Sequence, residues 1–196
     1  MVGEVRRLSI KLSPVHPLTD AELAALSERN PGYQLERNAK GELVVAPTSS
    51  EGGRRSGEAF RQLAEWNRRA RLGVVFDAST GFNLPDGSCL SPDAAWIQRA
   101  RWDALAAQER EGFAPICPDA VFEVRSRSNT RAELRDKARA YIANGARLAV
   151  IIDVEADVVE VYRPGAPEQL HAHQATLALA PELPGFSLDL ASIRTA

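Results

Sequence analysis

Residues 117–130 read CPDAVFEVRSRSNT, and no other stretch constrains the fold of this chain as strongly. Its apolar residues suit a buried strand, yet Glu123 and Arg125 interrupt them. Alternating strand geometry places Asp119, Val121, Glu123 and Arg125 on one side and Ala120, Phe122 and Val124 on the other. One side packs and the other carries charge. An ionised carboxylate is seldom set beside a core unless it is paired or holds a metal. Such a strand fits a sheet that is covered on one face and presents Glu123 and Arg125 to a cleft on the other.

The flanking sequence predicts the remaining elements. TDAE at residues 19–22 is a capping-box pattern, with Thr19 as cap and Glu22 reaching back, and predicts a short helix to about Ser27. YQLERN and ELVVAP, separated by AKG, predict a hairpin. SSEGGRRSGEAFRQLAEWNRRARL predicts a long helix ending near Gly73, with Phe60, Leu63, Ala64 and Asn67 on one face. Strand-like pieces flank the turn signal Pro85-Asp86-Gly87, and a connecting helix is expected around residues 100–110. TRAE at residues 130–133 opens another helix, to about Asn144, with Gly145 as its stop. RLAVIID and DVVEVYRP then predict two more strands. This order gives an α/β fold with a central mixed β-sheet flanked by helices.

With 196 residues, 44% hydrophobic and 26% charged, the chain fits one domain spanning residues 1–196 with a sizeable core. No apolar run approaches the roughly 20 residues that a membrane helix needs, and MVGEVRRLSIKLSPVHPL lacks the apolar core of a secretion signal. A cytoplasmic protein without a membrane partner is therefore expected. Cys89 and Cys117 form no CxxC pair and no cluster with the three histidines, which points to two small buried residues. His16, His171 and His173 lack a nucleophile motif, and Trp66, Trp96 and Trp102 read as core aromatics.

The net charge of −2 conceals an uneven distribution. Residues 51–71 hold six Arg against three Glu, and residues 121–140 hold five Arg and one Lys against three acids. Two segments of +3 each leave −8 for the remainder. Clustered cations of this kind follow a phosphate backbone or form solvated helix faces, and the sequence leaves both open.

The acids narrow the chemistry. Asp119 and Glu123 share a face, but four strand residues span about 13 Å, too far for one ion. Glu123 needs a partner from another strand, and Asp93 in SPDAAWI, following Pro92 at the start of an apolar segment, is the best candidate. If those strands pair, Asp93 and Glu123 can bind a hard divalent cation together with a backbone carbonyl and waters. Such an ion polarises a phosphoryl oxygen and activates water. The alternative makes Asp93 a turn acid and pairs Glu123 with a nearby Arg. Glu51, at the start of the long helix, is a third candidate acid or simply favours the helix dipole.

Lys137 favours the metal reading. Leu134, Ala138 and Tyr141 form the inward stripe of its helix, and Lys137 falls on that stripe. The chain has 21 Arg and only three Lys, so an inward Lys suggests a compact ammonium directed at a phosphate or a hydrolytic water, rather than a snorkelling side chain. Arg125 has the position to clamp a phosphate but cannot serve as a base.

Pro92-Asp93, Glu123-Val124-Arg125, Lys137 and Tyr141 together resemble the Uma2 (Uma-two) family of restriction-endonuclease-like proteins, part of the PD-(D/E)XK nuclease superfamily. VVFDASTGFNLPDGSCLSPDAAWI, FAPICPDAVFEVRSRSNT, LRDKARAYIANGARLAVIIDVEADVVEVYRPG, LPGFSLDL and APTSSEGGRRSGEAF carry the resemblance across roughly residues 20–192. It implies a restriction-endonuclease-like core, a Mg²⁺ or Mn²⁺ site, DNA as substrate, and a homodimer or higher homo-oligomer. Residue by residue, it makes Asp93 and Glu123 metal-binding acids. Arg125 stands where the superfamily pattern has a Lys, and Lys137 stands where a lysine migrated to the following helix would be. The expected activity is metal-dependent endonucleolytic hydrolysis of DNA. The competing expectations are a catalytically inactive nuclease-fold protein that binds nucleic acid or a protein partner, and a structural or oligomeric protein with no nucleic-acid role.

Overall fold

The computed structural model describes residues 10–14, 16–31, 33–47 and 49–195. Residues 1–9, which hold half of the N-terminal stretch considered as a signal, lie outside the described residues. Strand β1 (Ile10–Leu12) and helix α1 (Asp20–Arg29) precede the hairpin of β2 (Tyr33–Arg37) and β3 (Leu43–Pro47). The long helix α2 (Ser50–Ala70) leads to β4 (Gly73–Asp77), the short pair β5 (Phe82–Asn83) and β6 (Cys89–Leu90), and β7 (Ala94–Gln98). Two short helices, α3 (Arg99–Asp103) and α4 (Ala107–Arg110), replace the single helix expected there and lead to β8 (Ala120–Val124). Helix α5 (Arg131–Ala143) connects β8 to β9 (Leu148–Asp153), which is followed by β10 (Val158–Tyr162) and β11 (Gln169–Ala172). Strands β12 (Thr176–Ala178) and β13 (Ser187–Asp189) and helix α6 (Leu190–Thr195) close the described chain.

The helix starts follow local chemistry. Thr19 and Thr130 each accept from a backbone N–H three residues on, while Glu22 and Glu133 reach back, so both capping boxes form. Gly145, at φ 105°, turns the chain out of α5 in a conformation that a side chain would strain.

Six strands form the main sheet in the order β11-β10-β9-β8-β7-β4. Only β8 and β9 run parallel, and the crossover between them is α5. Val121 and Ile151 pack beneath α5 with Leu134, Ala138 and Tyr141. On the other face, Ala120, Phe122 and Val124 pack against Leu63 and Trp66 of α2 and Ile193 of α6. Five strands, β1-β3-β2-β6-β5, form a second sheet over a smaller core of Leu23, Leu35, Leu43 and Cys89. Cys89 and Cys117 are buried free thiols.

The buried stripe of α2 is Ser56, Ala59, Gln62, Leu63 and Trp66, rotated from the expected face of Phe60, Leu63, Ala64 and Asn67, of which Leu63 is buried. The reason is Trp66, whose ring meets Trp96 at 5.8 Å and Phe186 at 5.6 Å, so the helix turns to bury the indole. Phe60 is left partly exposed. Asn67 accepts from Trp96 Nε1 at 3.1 Å and brackets the backbone of Gly73.

Candidate active site

One of the connections between the two sheets is three residues long. Ser91, Pro92 and Asp93 carry the chain from β6, in the small sheet, directly into β7 of the large one. β7 runs antiparallel to β8 with Ala94 opposite Phe122, so Asp93 continues the register opposite Glu123. Directly opposed residues of such a pair lie about 4.5–5.5 Å apart. The pairing on which the metal reading depended is therefore present. Asp93 Oδ2 accepts from the Val124 N–H at 2.6 Å, which fixes the carboxylate against the end of β8.

Lys137, on α5, points to the same place. Its ammonium lies 2.8 Å from Glu123 Oε1 and 2.7 Å from Glu36 Oε1, and donates to the Ser91 carbonyl at 3.0 Å. The Ser91 carbonyl is its hydrogen-bond acceptor, and the two carboxylates flank it as ion pairs. Glu36 Oε1 also accepts from the Ser91 N–H at 2.7 Å, so the peptide of Ser91 is held on both sides by the same ion pair. Glu36 comes from β2, Ser91 and Asp93 from the link between sheets, Glu123 from β8 and Lys137 from α5.

Electrostatics follow from this packing. Burial pushes Glu123 up to about 8, opposed by the Lys137 charge and reinforced by Asp93 and Glu36. Burial also pushes Asp93 up to about 6, against the Val124 N–H and Lys137. Lys137 is raised above its ordinary value, because the two carboxylates outweigh its desolvation. It is held as the ammonium and is unsuited to act as a base.

The residues fit a divalent cation. Glu123 Oε1 is buried without a well-directed hydrogen bond despite its short distance to Lys137. Three carboxylates against one ammonium leave a charge of −2 when ionised, which a divalent ion neutralises. Among the described residues, no three His, Cys, Asp or Glu side chains stand together as a ready-made cage. Glu36 and Glu123 are instead drawn to Lys137. Two carboxylates supplemented by a backbone carbonyl and water match the habit of Mg²⁺, which keeps several waters.

The group opens on a cleft of about 420 Å³. Lys11, Lys40 and Lys137, all three lysines of the chain, line it, and no arginine among the described residues does.

Two predicted residues are not brought here. Arg125 projects on the α5 side but turns toward β9, where its Nη1 meets both oxygens of Asp153 at 3.1 and 3.2 Å. Asp153 is buried and needs that charge, together with Arg131 at 2.7 Å, more than the cleft does. Glu51 is exposed at the start of α2 and pairs with Arg54 at 2.6 Å and Arg55 at 3.0 Å. It does not line the cleft. Asp119 caps the turn before β8, accepting from the Gln98 N–H and pairing with Arg101. The two basic segments are largely neutralised in place, as Arg61 by Glu58 and Glu65, Arg135 by Glu160 and Arg139 by Glu168 show.

Glu36 escaped the sequence reading. In YQLER it alternates with buried Leu35 and Arg37, so it reads as one side chain of an ordinary solvated strand face. Only the fold, which brings β2 beside Ser91 and α5, gives it a partner.

Comparison with known proteins shows the family and the fold. The Uma2 family model, described as "Putative restriction endonuclease", matches residues 20–191. The chain belongs to the Uma2 family. Among solved structures, it is similar to a "putative nuclease belonging to DUF820" from Anabaena variabilis ATCC 29413. The TM-score is 0.73 at 16% identity, covering 91% of this chain and 98% of that one, so the likeness is one of fold. No curated protein sequence matches. No helix among the described residues of this Uma2 protein is long and apolar enough to cross a membrane.

Proposed function

We propose that this Uma2 protein is a metal-dependent endonuclease that hydrolyses DNA phosphodiester bonds at the Asp93–Glu123–Lys137 cleft. The observation that carries the reading is the convergence of Asp93, Glu123 and Lys137 from three elements onto one seam, in a family described by nuclease activity. Asp93 and Glu123 are the residues that would hold Mg²⁺ or Mn²⁺. A bound ion of this kind polarises a phosphoryl oxygen and makes water nucleophilic at neutral pH.

The protein's own groups do the rest. The Val124 N–H keeps Asp93 oriented, so one carboxylate oxygen remains for a ligand. Lys137 brings a fixed positive charge beside Glu123 and stabilises the negative charge that develops on the phosphate oxygens. Glu36 and Ser91 position Lys137 and keep it protonated. Arg125, clamped by Asp153, stiffens the segment after β8 rather than gripping a phosphate. Association into a homodimer or higher homo-oligomer belongs to the same proposal.

Calorimetric titration of Mg²⁺ and Mn²⁺ into the wild type and Glu123→Gln, followed by plasmid nicking, tests it. Binding and nicking that both vanish in the variant support the enzyme. A folded wild type that binds neither ion overturns it and leaves a non-catalytic nuclease-fold binding protein.

A further inference from the structure

A second cavity, of about 680 Å³, adjoins the first. Gln34 and Asp93 line both, so the carboxylate assigned to the metal stands in the wall between them. The chemistry on the two sides differs. The first cleft is lined by acids and lysines, whereas no Lys or Arg among the described residues lines the second. Its walls include Tyr33, Phe60 and Phe113 with Gly53 and Gly57 of α2, and the charged side chains among them, Asp77 and Asp93, are both acids. Tyr33 is 52% exposed, a large exposure for a side chain that contributes to no core cluster. Phe60, partly buried against the main core, also lines this space. A Cβ at Gly57 would meet nothing, so this helix surface is open where a ring could lie against it.

A pocket with aromatic and glycine walls and no cation does not suit a phosphate. It suits a flat, uncharged ring, which aromatic side chains bind by stacking whatever its sequence identity. Because the cavity shares Gln34 and Asp93 with the cleft, a ring held in it lies next to a phosphate held at Asp93 and belongs to the same ligand. We infer that the second cavity receives an unstacked nucleobase of the substrate strand, so the substrate is nucleic acid carrying an unpaired nucleotide beside the scissile phosphate rather than uninterrupted duplex. The inference rests on the phosphodiesterase reading of the cleft and adds its substrate class.

The test compares two oligonucleotides, a fully paired duplex and the same duplex with one bulged nucleotide, by fluorescence anisotropy. Ca²⁺ replaces Mg²⁺ as a hard cation of similar oxygen preference, so that binding is read apart from activity. Gly57→Leu places a side chain in the cavity from the α2 side, while Glu123 and Lys137 lie outside that cavity, and Tyr33→Ala removes a wall should the first variant fold poorly. Wild type is expected to bind the bulged duplex about tenfold more tightly, the effect of one stacking contact, and both variants to lose that preference while binding paired duplex unchanged. Equal affinity of wild type for both duplexes, or a preference that survives Gly57→Leu, overturns the base pocket. If Mg²⁺ binding and plasmid nicking persist in that case, the nuclease reading stands alone. A wild-type oligomer that Gly57→Leu dissociates in light scattering assigns the cavity to a second copy of the chain, which also overturns the inference.

Discussion

Lys137 and Glu36 meet across the seam between two sheets, their charged atoms 2.7 Å apart and both side chains largely buried. The pair ties α5 to β2, and Ser91 is caught between them. Removing the ammonium leaves Glu36 and Glu123 facing each other without compensation. Lys137→Met is therefore expected to lower stability by about 3 kcal/mol at pH 7. The loss is expected to grow from pH 7 to pH 9, because Glu123, at about 8 with the ammonium beside it, ionises over that range only at a greater cost once the ammonium is gone. Urea unfolding at the two pH values checks this, and an equal loss at both would contradict it.

Metal affinity should rise with pH. Burial holds Glu123 at about 8 and Asp93 at about 6, both above ordinary carboxylates, so protons compete with the cation at neutral pH. Mg²⁺ binding is expected to tighten between about pH 6 and pH 8 and to release protons, then level off. The same shift acts on the metal-free fold with the opposite sign. Its contribution to stability is full below the ordinary value of 4.5 and is lost as pH rises toward 8. Calorimetry in buffers of different ionisation enthalpy measures the first effect, and thermal melts with and without Mg²⁺ measure the second.

Arg125 and Glu51 provide the contrast. Arg125→Ala and Glu51→Ala should leave Mg²⁺ affinity unchanged, since neither side chain lines the cleft. Arg125→Ala removes one of two arginines from buried Asp153 and is expected to cost about 1–2 kcal/mol of stability. A tenfold loss of metal affinity in either variant would contradict the placement of these residues.

At the acid end, Glu133 reports on α5. Burial works against its charge, yet the Thr130 N–H and hydroxyl and Lys11 hold it down to about 2. Its depressed value stabilises the fold above about 4.5 and is lost as pH falls toward 2. Glu133→Ala should therefore cost about 1 kcal/mol at pH 7 and almost nothing at pH 2. Helicity and unfolding free energy followed across that range give the answer.

Local patterns in the sequence specified α1, α2, α5 and the strands of the main sheet around them, together with three of the residues of the candidate site, but not β1, β11–β13, α6 or the split of α3 from α4. Thr19, Thr130 and Gly145 act within a few residues of themselves, so their caps and stops were legible, as was the alternation that gave β8 a packed and a charged side. Asp93, Glu123 and Lys137 stood out because each breaks a local pattern: an acid after Pro at an apolar start, a carboxylate within a buried strand, and a lysine on an inward helical stripe. Glu36 breaks none, since it alternates outward from β2 as a solvated residue would. The partner of Arg125 was equally illegible, because strand periodicity fixes which face a side chain takes but not whether it leans toward the cleft or toward Asp153. Those choices belong to the tertiary structure. Burial makes each unpaired charge costly, and only the docking of two sheets decides which opposite charges come within reach.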